Sequence, residues 1–315
     1  MDELLTITLN PAVDYATSVE AVVPGSKLYC KAPRIDPGGG GVNVARAICR
    51  LGGQARVLVA TGGAAGQKLR AMLEEEGVPV HAVDVGGETR LSFAVTDERS
   101  GEQYRFSLPG NTLSDEIGER LIAEIVSQAP QGGLVVLSGG IAPGLDDRFP
   151  EKIRAALSGV TNRLVVDTSK SALLRLISEP VAPLHVLRFD HREAEGAAGR
   201  ALADLHESIA FLEALIARGV AETLVMGRGA EGSLVVTSAA RYICWAPKVP
   251  VVSKIGAGDA FVGGFSLSLQ RGDGLEDALR WGVAAAAATM ATEGTGLCRK
   301  EDVLALRPMC RVEAL

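Results

Sequence analysis

Short apolar-rich runs alternate with longer segments of helical periodicity along most of the chain. LLTITL (4–9), ARVLVA (55–60), VPVHAV (78–83), GLVVLS (133–138), RLVVDT (163–168), LHVL (184–187) and ETLVM (222–226) have the continuous apolar character of strands buried on both faces. Between most of them lie helical segments, 41–52, 64–76, 114–128, 146–157, 169–178 and 201–217. Regular alternation of this kind predicts βαβ units around a mainly parallel sheet, with ligands beyond the carboxyl ends of the strands. Two stretches break the rhythm. Residues 13–36 and 88–107 alternate polar and apolar positions (KLYCKAPRI; RLSFAVTD, then EQYRFSL) with no helix between, and predict a small antiparallel sheet. No linker, low-complexity tract or tandem repeat interrupts the chain, so the reading is one α/β domain over residues 1–315 carrying a β-sheet lid.

Composition narrows the classes. The chain is 47% hydrophobic and 22% charged, with a net charge of -6 and no basic run, which argues against a nucleic-acid surface. Five cysteines (30, 49, 244, 298, 310) are scattered and never spaced as CxxC, the pattern of reduced thiols rather than a disulfide framework or zinc site. The opening MDELLTITLN is acidic, without the basic region of a secretory leader. WGVAAAAATMAT is too short to cross a bilayer and reads as a buried helix. A cytoplasmic protein with no membrane partner is expected.

Several motifs carry candidate chemistry. GRGAEG (227–232) matches G-x-G-x-x-G, but SLVV follows it as a strand and no acidic residue sits at the required distance. A Gly-rich strand–turn–strand beside a nucleotide is the better reading, and no P-loop motif occurs. PGGGGVNVARAICRLGG (37–53) strips four consecutive Cβ atoms from a loop that enters a core helix, so backbone can approach a ligand there. Asp14 in TLNPAVD lies just past the first strand. Asp190 and Glu193 in RFDHREAE share one face of a helix start, a spacing that suits either Mg²⁺ through water or a solvated first turn. SKIGAGDAFVGGF (253–265) places Asp259 before an apolar helix, as an N-cap or as a base beside an anion.

PGGGGVNVAR and KIGAGDAFVGGF together resemble the paired signatures of the ribokinase (PfkB) superfamily of sugar kinases. GSKLYCKAPRIDPGGGGVNVARAICRLGG, SGEQYRFSLPG and GTGLC are similar to its minor, ATP-dependent 6-phosphofructokinases, in the same order over nearly the whole length. The resemblance implies a three-layer α/β fold with a β-sheet lid, homodimerisation through the lids, and transfer of the ATP γ-phosphoryl group to a sugar hydroxyl with Mg²⁺. It implies Asp259 as general base and the Gly256-Ala257-Gly258 turn as an anion hole, and it places Asp14, Gly39, Gly40 and Asn43 at the sugar hydroxyls. Arg90 would face the substrate's own phosphate, with Lys27 and Arg105 nearby. Arg188, Gly227, Gly229, Gly232, Lys254 and Thr292 would face the nucleotide, and Asp190 and Glu193 the hydrated Mg²⁺.

Some positions depart from that pattern. Arg188 stands for Lys, Asp190 for Asn, Gly227 for Ser or Thr, Gly140 for Ser and Lys254 for Thr. Tyr29 replaces a basic lid residue, and Thr292 an Asn near the adenine. Fructose 6-phosphate is the expected substrate. The alternatives are tagatose 6-phosphate, fructose 1-phosphate, or a catalytically silent phosphosugar-binding protein.

Overall fold

The computed structural model describes residues 4–292, 294 and 296–315. Residues 1–3 of the opening segment and Thr295 of GTGLC lie outside these. In chain order the strands are β1 Leu4–Thr8, β2 Ala12–Val19, β3 Arg34–Gly38, β4 Ala55–Thr61, β5 Val80–Asp84, β6 Arg90–Asp97 and β7 Gln103–Ser107. They continue with β8 Val135–Ser138, β9 Leu164–Asp167, β10 Leu184–Asp190, β11 Ala221–Gly227, β12 Ser233–Thr237, β13 Arg241–Trp245 and β14 Arg311–Ala314. The helices are α1 Gly40–Arg50, α2 Gly63–Glu75, α3 Asp115–Gln128, α4 Phe149–Leu157, α5 Lys170–Ser178, α6 His191–Ala198, α7 Leu205–Ala217, α8 Ala257–Gln270, α9 Leu275–Met290 and α10 Lys300–Leu306.

The large sheet runs β14-β13-β12-β11-β10-β9-β8-β1-β4-β5. Its seven strands from β11 to β5 are parallel, and all seven were legible as apolar runs. Their continuous hydrophobicity follows from burial on both faces. Val57, Val136, Val165 and Val225 pack on one face with α1, α8 and α9, while Leu58, Leu137, Val166 and Leu224 pack on the other with α3, α4 and α7. This is a three-layer α/β architecture.

An antiparallel edge, β12 to β14, completes the sheet, and its last two strands were not expected from sequence. Helix α7 begins at Leu205 rather than 201 because Asp204 caps it, accepting the Glu207 N–H at 2.8 Å. Helix α4 begins at Phe149 rather than 146, with Pro150 in its first turn.

The lid is a four-stranded sheet, β3-β2-β6-β7. Its outer pairs are antiparallel but its central pair, β2 with β6, is parallel, which corrects the expected antiparallel sheet. The reason lies in the connections: β2 continues from β1 and β6 follows β5, two strands that already point the same way in the large sheet. Of the KLYCKAPRI stretch (27–35) only Arg34 and Ile35 lie in a strand, the start of β3; the residues before them are exposed and outside any strand, though the Lys31 N–H donates to the Ser18 carbonyl of β2 at 2.9 Å.

Helix α8 threads between α1 and α9, and GlyGly in FVGGF explains how closely. A Cβ on Gly263 would lie 2.9 Å from the Ala47 Cβ, and one on Gly264 would lie 2.7 Å from the Trp281 carbonyl oxygen. Phe261 and Phe265 stack at 5.8 Å on the same helix. Close packing therefore fixes where α8 starts. Among the described residues no helix is long and apolar enough to cross a membrane.

Candidate active site

The GAGD turn sits at the start of α8. Gly256, with φ +76°, is the N-cap, and no side chain caps the helix. Asp259 is therefore the third helical residue and not the N-cap. The Ala257 N–H reaches the Lys254 carbonyl at 3.4 Å, which leaves the N–H groups of Gly258 and Asp259 to a ligand, and the helix dipole favours an anion there. Asn43 of α1, only 4% exposed, donates from Nδ2 to Asp259 Oδ2 at 2.8 Å. Burial, reinforced by the nearby Asp167 carboxylate, pushes Asp259 up to about 7, against the pull of Asn43 and Arg188. A carboxylate poised there can accept an alcohol proton at neutral pH.

Two groups that sequence reasoning passed over complete this corner. Asp167, at the carboxyl end of β9, accepts Ser138 Oγ at 3.0 Å and Arg188 Nη1 at 3.0 Å. The Arg188 guanidinium then reaches under the turn: a Cβ on Gly258 would lie 3.2 Å from its Nη1. The available signal for Asp167 was its place ending an apolar strand run. The other is Arg46, a fully buried cation in α1.

The glycines of PGGGGVN serve packing as much as ligand approach. A Cβ on Gly41 would meet the Ile7 carbonyl oxygen at 2.2 Å, and one on Gly40 the Ser138 Oγ at 2.5 Å. Gly39, with φ +121°, is the N-cap of α1, again without a side-chain cap.

On the lid side, Asp14 in β2 faces Ser92 across the β2–β6 ladder. Burial pushes Asp14 up to about 6, opposed by the charge of Arg90, a hydrogen bond with Ser92 and the charge of Arg105. Arg90 donates to the Asn10 carbonyl at 3.3 Å and to Ser107 Oγ at 2.7 Å. Arg105 is exposed on β7. These three expected residues come together. Lys27 does not join them by any contact; it is exposed, with its Nζ 5.2 Å from the Tyr29 ring centroid.

The remaining predicted residues lie around the β10 and β11 ends. Asp190 and Glu193 form a capping box on α6: Asp190 Oδ1 accepts the Glu193 N–H at 2.9 Å and Glu193 Oε2 the Asp190 N–H at 2.8 Å. Gly227 pairs with Asp190 in the ladder, and a Cβ there would touch Arg188 Nη2 at 3.4 Å. The GRGAEG turn leads from β11 into β12 through a 3₁₀ turn at Gly229–Glu231, so it is a strand–turn–strand, as expected. Gly229 is exposed and open, whereas Gly232 abuts β13, where a Cβ would lie 2.9 Å from the Cys244 carbonyl oxygen. Lys254 is exposed. Thr292 closes α9, its Oγ1 donating to the Thr289 carbonyl at 2.8 Å. Gly140 is exposed with room for a side chain.

A near-neutral carboxylate at an open helix start, an arginine beneath it and an Asp–Arg cluster at a lid have the make-up of a carbohydrate kinase site. The chain belongs to the pfkB family of carbohydrate kinases, which it matches over residues 7–302. It is 37% identical over 300 residues to the ATP-dependent 6-phosphofructokinase isozyme 2 of Mycobacterium tuberculosis, covering 95% of this chain and 87% of that one. It is 31% identical to the 1-phosphofructokinase of Bacillus subtilis, covering 99% and 100%. The crystal structure of the phosphofructokinase-2 from Escherichia coli in complex with fructose-6-phosphate superposes with a TM-score of 0.90 at 33% identity, covering 98% of this chain and 99% of that one.

Proposed function

We propose that this chain transfers the γ-phosphoryl group of ATP to fructose 6-phosphate, giving fructose 1,6-bisphosphate. The observation that carries the reading is Asp259, raised to about 7 at the uncapped start of α8 and held by Asn43. In this mechanism Asp259 takes the proton of the attacking hydroxyl. The N–H groups of the Gly256-Ala257-Gly258 turn, with Arg188 beside them, bind the charge that spreads over the transferring oxygens. Asp14, Asn43 and the Gly39-Gly40 backbone orient the sugar, and Arg90, with Arg105 further out, meets its phosphate.

Asp190 and Glu193 each commit one oxygen to the capping box, leaving the second of each for a hydrated cation. Among the described residues no group of three or more His, Cys, Asp or Glu forms a metal-holding cluster. The pair thus fits Mg²⁺ arriving with the nucleotide through water, where the cation offsets phosphate charge. Gly227, Gly229, Lys254 and Thr292 lie on the nucleotide side. Exposed Leu28, Tyr29 and Phe106 on the lid support a homodimer through that sheet. The likeness to 1-phosphofructokinase favours fructose 1-phosphate as the second reading.

Coupled ADP release over fructose 6-phosphate, tagatose 6-phosphate and fructose 1-phosphate tests the assignment. Fructose 6-phosphate should give the highest kcat/KM. A higher value for fructose 1-phosphate would replace the first reading with the second, and no turnover with any of the three would refute both.

A further inference from the structure

Arg46 is the largest fully buried side chain among the described residues. A guanidinium so placed needs every donor satisfied, and here the partners come from three elements. Its Nε and Nη2 fork onto the two oxygens of Glu76, after α2, at 2.8 and 2.6 Å. Its Nη2 also lies 3.7 Å from Asp36 of the lid strand β3. Its Nη1 is shared between the Pro37 carbonyl, also in β3, and Asn43 Oδ1, each at 3.2 Å.

The last contact bears on the chemistry. An amide can present either its oxygen or its NH₂ to a neighbour, and the two ends are nearly isosteric. A guanidinium has only donors, so it can donate only to the oxygen end of Asn43. The NH₂ end is then obliged to face Asp259, which it meets at 2.8 Å. If the amide turned round, its oxygen would confront the carboxylate. The spacing is that of one helical turn, Asn43 and Arg46 being three residues apart on α1.

We propose that Arg46 is a positioning residue for phosphoryl transfer: anchored by Glu76, it fixes the Asn43 amide so that its NH₂ orients the Asp259 carboxylate, and it ties that amide to the lid at Pro37. The inference rests on Asp259 being the base. Arg46 touches neither substrate nor the reacting atoms; it acts through Asn43.

A merely structural Arg46 would neutralise Glu76 and the buried Asp36, a role that lysine can largely fill. An amide-setting Arg46 needs a second arm, which lysine lacks. The test uses the full chain and steady-state ADP release at saturating ATP and fructose 6-phosphate, with thermal melting of each variant. Arg46→Lys should melt close to the parent yet lose kcat on the order of 10- to 100-fold, the loss of one hydrogen bond to a charged group. In an Asn43→Ala background the same substitution should change kcat by less than about twofold, because the group it acts through is gone. Parental kcat in Arg46→Lys overturns the proposal, as does an equal loss in both backgrounds.

Should Arg46→Lys melt far below the parent, Glu76→Gln reads the same linkage by loosening the anchor while keeping Arg46. Its kcat loss must likewise vanish in Asn43→Ala, and a loss that persists there overturns the proposal. Asp259→Asn runs alongside. If that variant keeps parental kcat, the base assignment falls and takes this inference with it. An inactive Asp259→Asn beside a fully active Arg46→Lys overturns the inference alone.

Discussion

Replacing Asp259 with asparagine should make the protein less active and more stable at once, and the two effects come from one cause. Burial and the Asp167 charge raise this carboxyl from 3.8 to about 7. A carboxyl with a raised folded-state pKa is penalised when ionised. The penalty is absent below pH 3.8, grows between 4 and 7, and is complete above 7. A shift of about three units corresponds to about 4 kcal/mol at pH 8 and about 2 kcal/mol at pH 5. Asparagine keeps an oxygen to accept the Asn43 N–H and carries no charge. Asp14 titrates in the same range but is present in both chains, so it largely cancels in the difference. Urea denaturation of parent and variant, followed by tryptophan fluorescence, should therefore show Asp259→Asn more stable at pH 8, with the gap roughly halved at pH 5. Over the same range its kcat should be lower by about 10²-fold or more. A variant less stable than the parent at pH 8, or a gap that does not change with pH, would refute the electrostatic account of the site.

Four further outcomes are expected. Arg90→Ala should raise KM for fructose 6-phosphate by roughly 10- to 100-fold with a smaller effect on kcat, since it removes a charge-assisted phosphate contact; steady-state kinetics would show the split. Arg188→Met leaves Asp167 without its cation and should cost about 3 kcal/mol by chemical denaturation. It should also move the acid limb of the kcat profile to higher pH, because Arg188 lowers the Asp259 pKa. Asp190→Ala loses the cap on α6, about 1 kcal/mol by melting, and should raise the Mg²⁺ concentration needed for half-maximal rate. Gly264→Ala should destabilise by roughly 1–3 kcal/mol despite alanine's better helix propensity, because its Cβ would strike the Trp281 carbonyl.

What the sequence made legible follows from the range of the forces involved. The seven parallel strands each carry their own signal, since burial on both faces demands apolar residues at every position. Strands β13 and β14 are short, β13 with only two buried residues and β14 with none, so no local period marks them. Strand direction in the lid was beyond local pattern, because it depends on where two distant segments leave the large sheet. The same holds within the site. Asp259, Asn43, Asp14 and Arg90 lay in readable motifs, yet whether Asp259 caps α8 or sits inside it turns on the left-handed Gly256. Arg46 showed only as a charge within an apolar helix, and its meaning needed Glu76, Asn43 and β3 brought together from across the fold.

That arrangement also explains why the charges of the site cannot be retuned one at a time. Asp259 responds to Asp167 on β9, Arg188 on β10 and Asp14 on β2, while Asp14 responds in turn to Arg90 and Arg105 on the other lid strands. Asp259 stands on helix α8 and Asp14 on strand β2, and what fixes Asp14 is the continuation of β1 into β2 and the parallel Asp14–Ser92 pairing. Gly38 guards that register. A Cβ there would fall 2.2 Å from Asp14 Oδ2, so any larger residue must turn Asp14 out of the cleft or open the β2–β3 pair. Either movement takes a negative charge away from Asp259 and lowers its pKa, while also removing a sugar ligand. Gly38→Ala should therefore weaken sugar binding and shift the acid limb of the rate profile to lower pH. The second effect would not follow if Gly38 served only the flexibility of the loop.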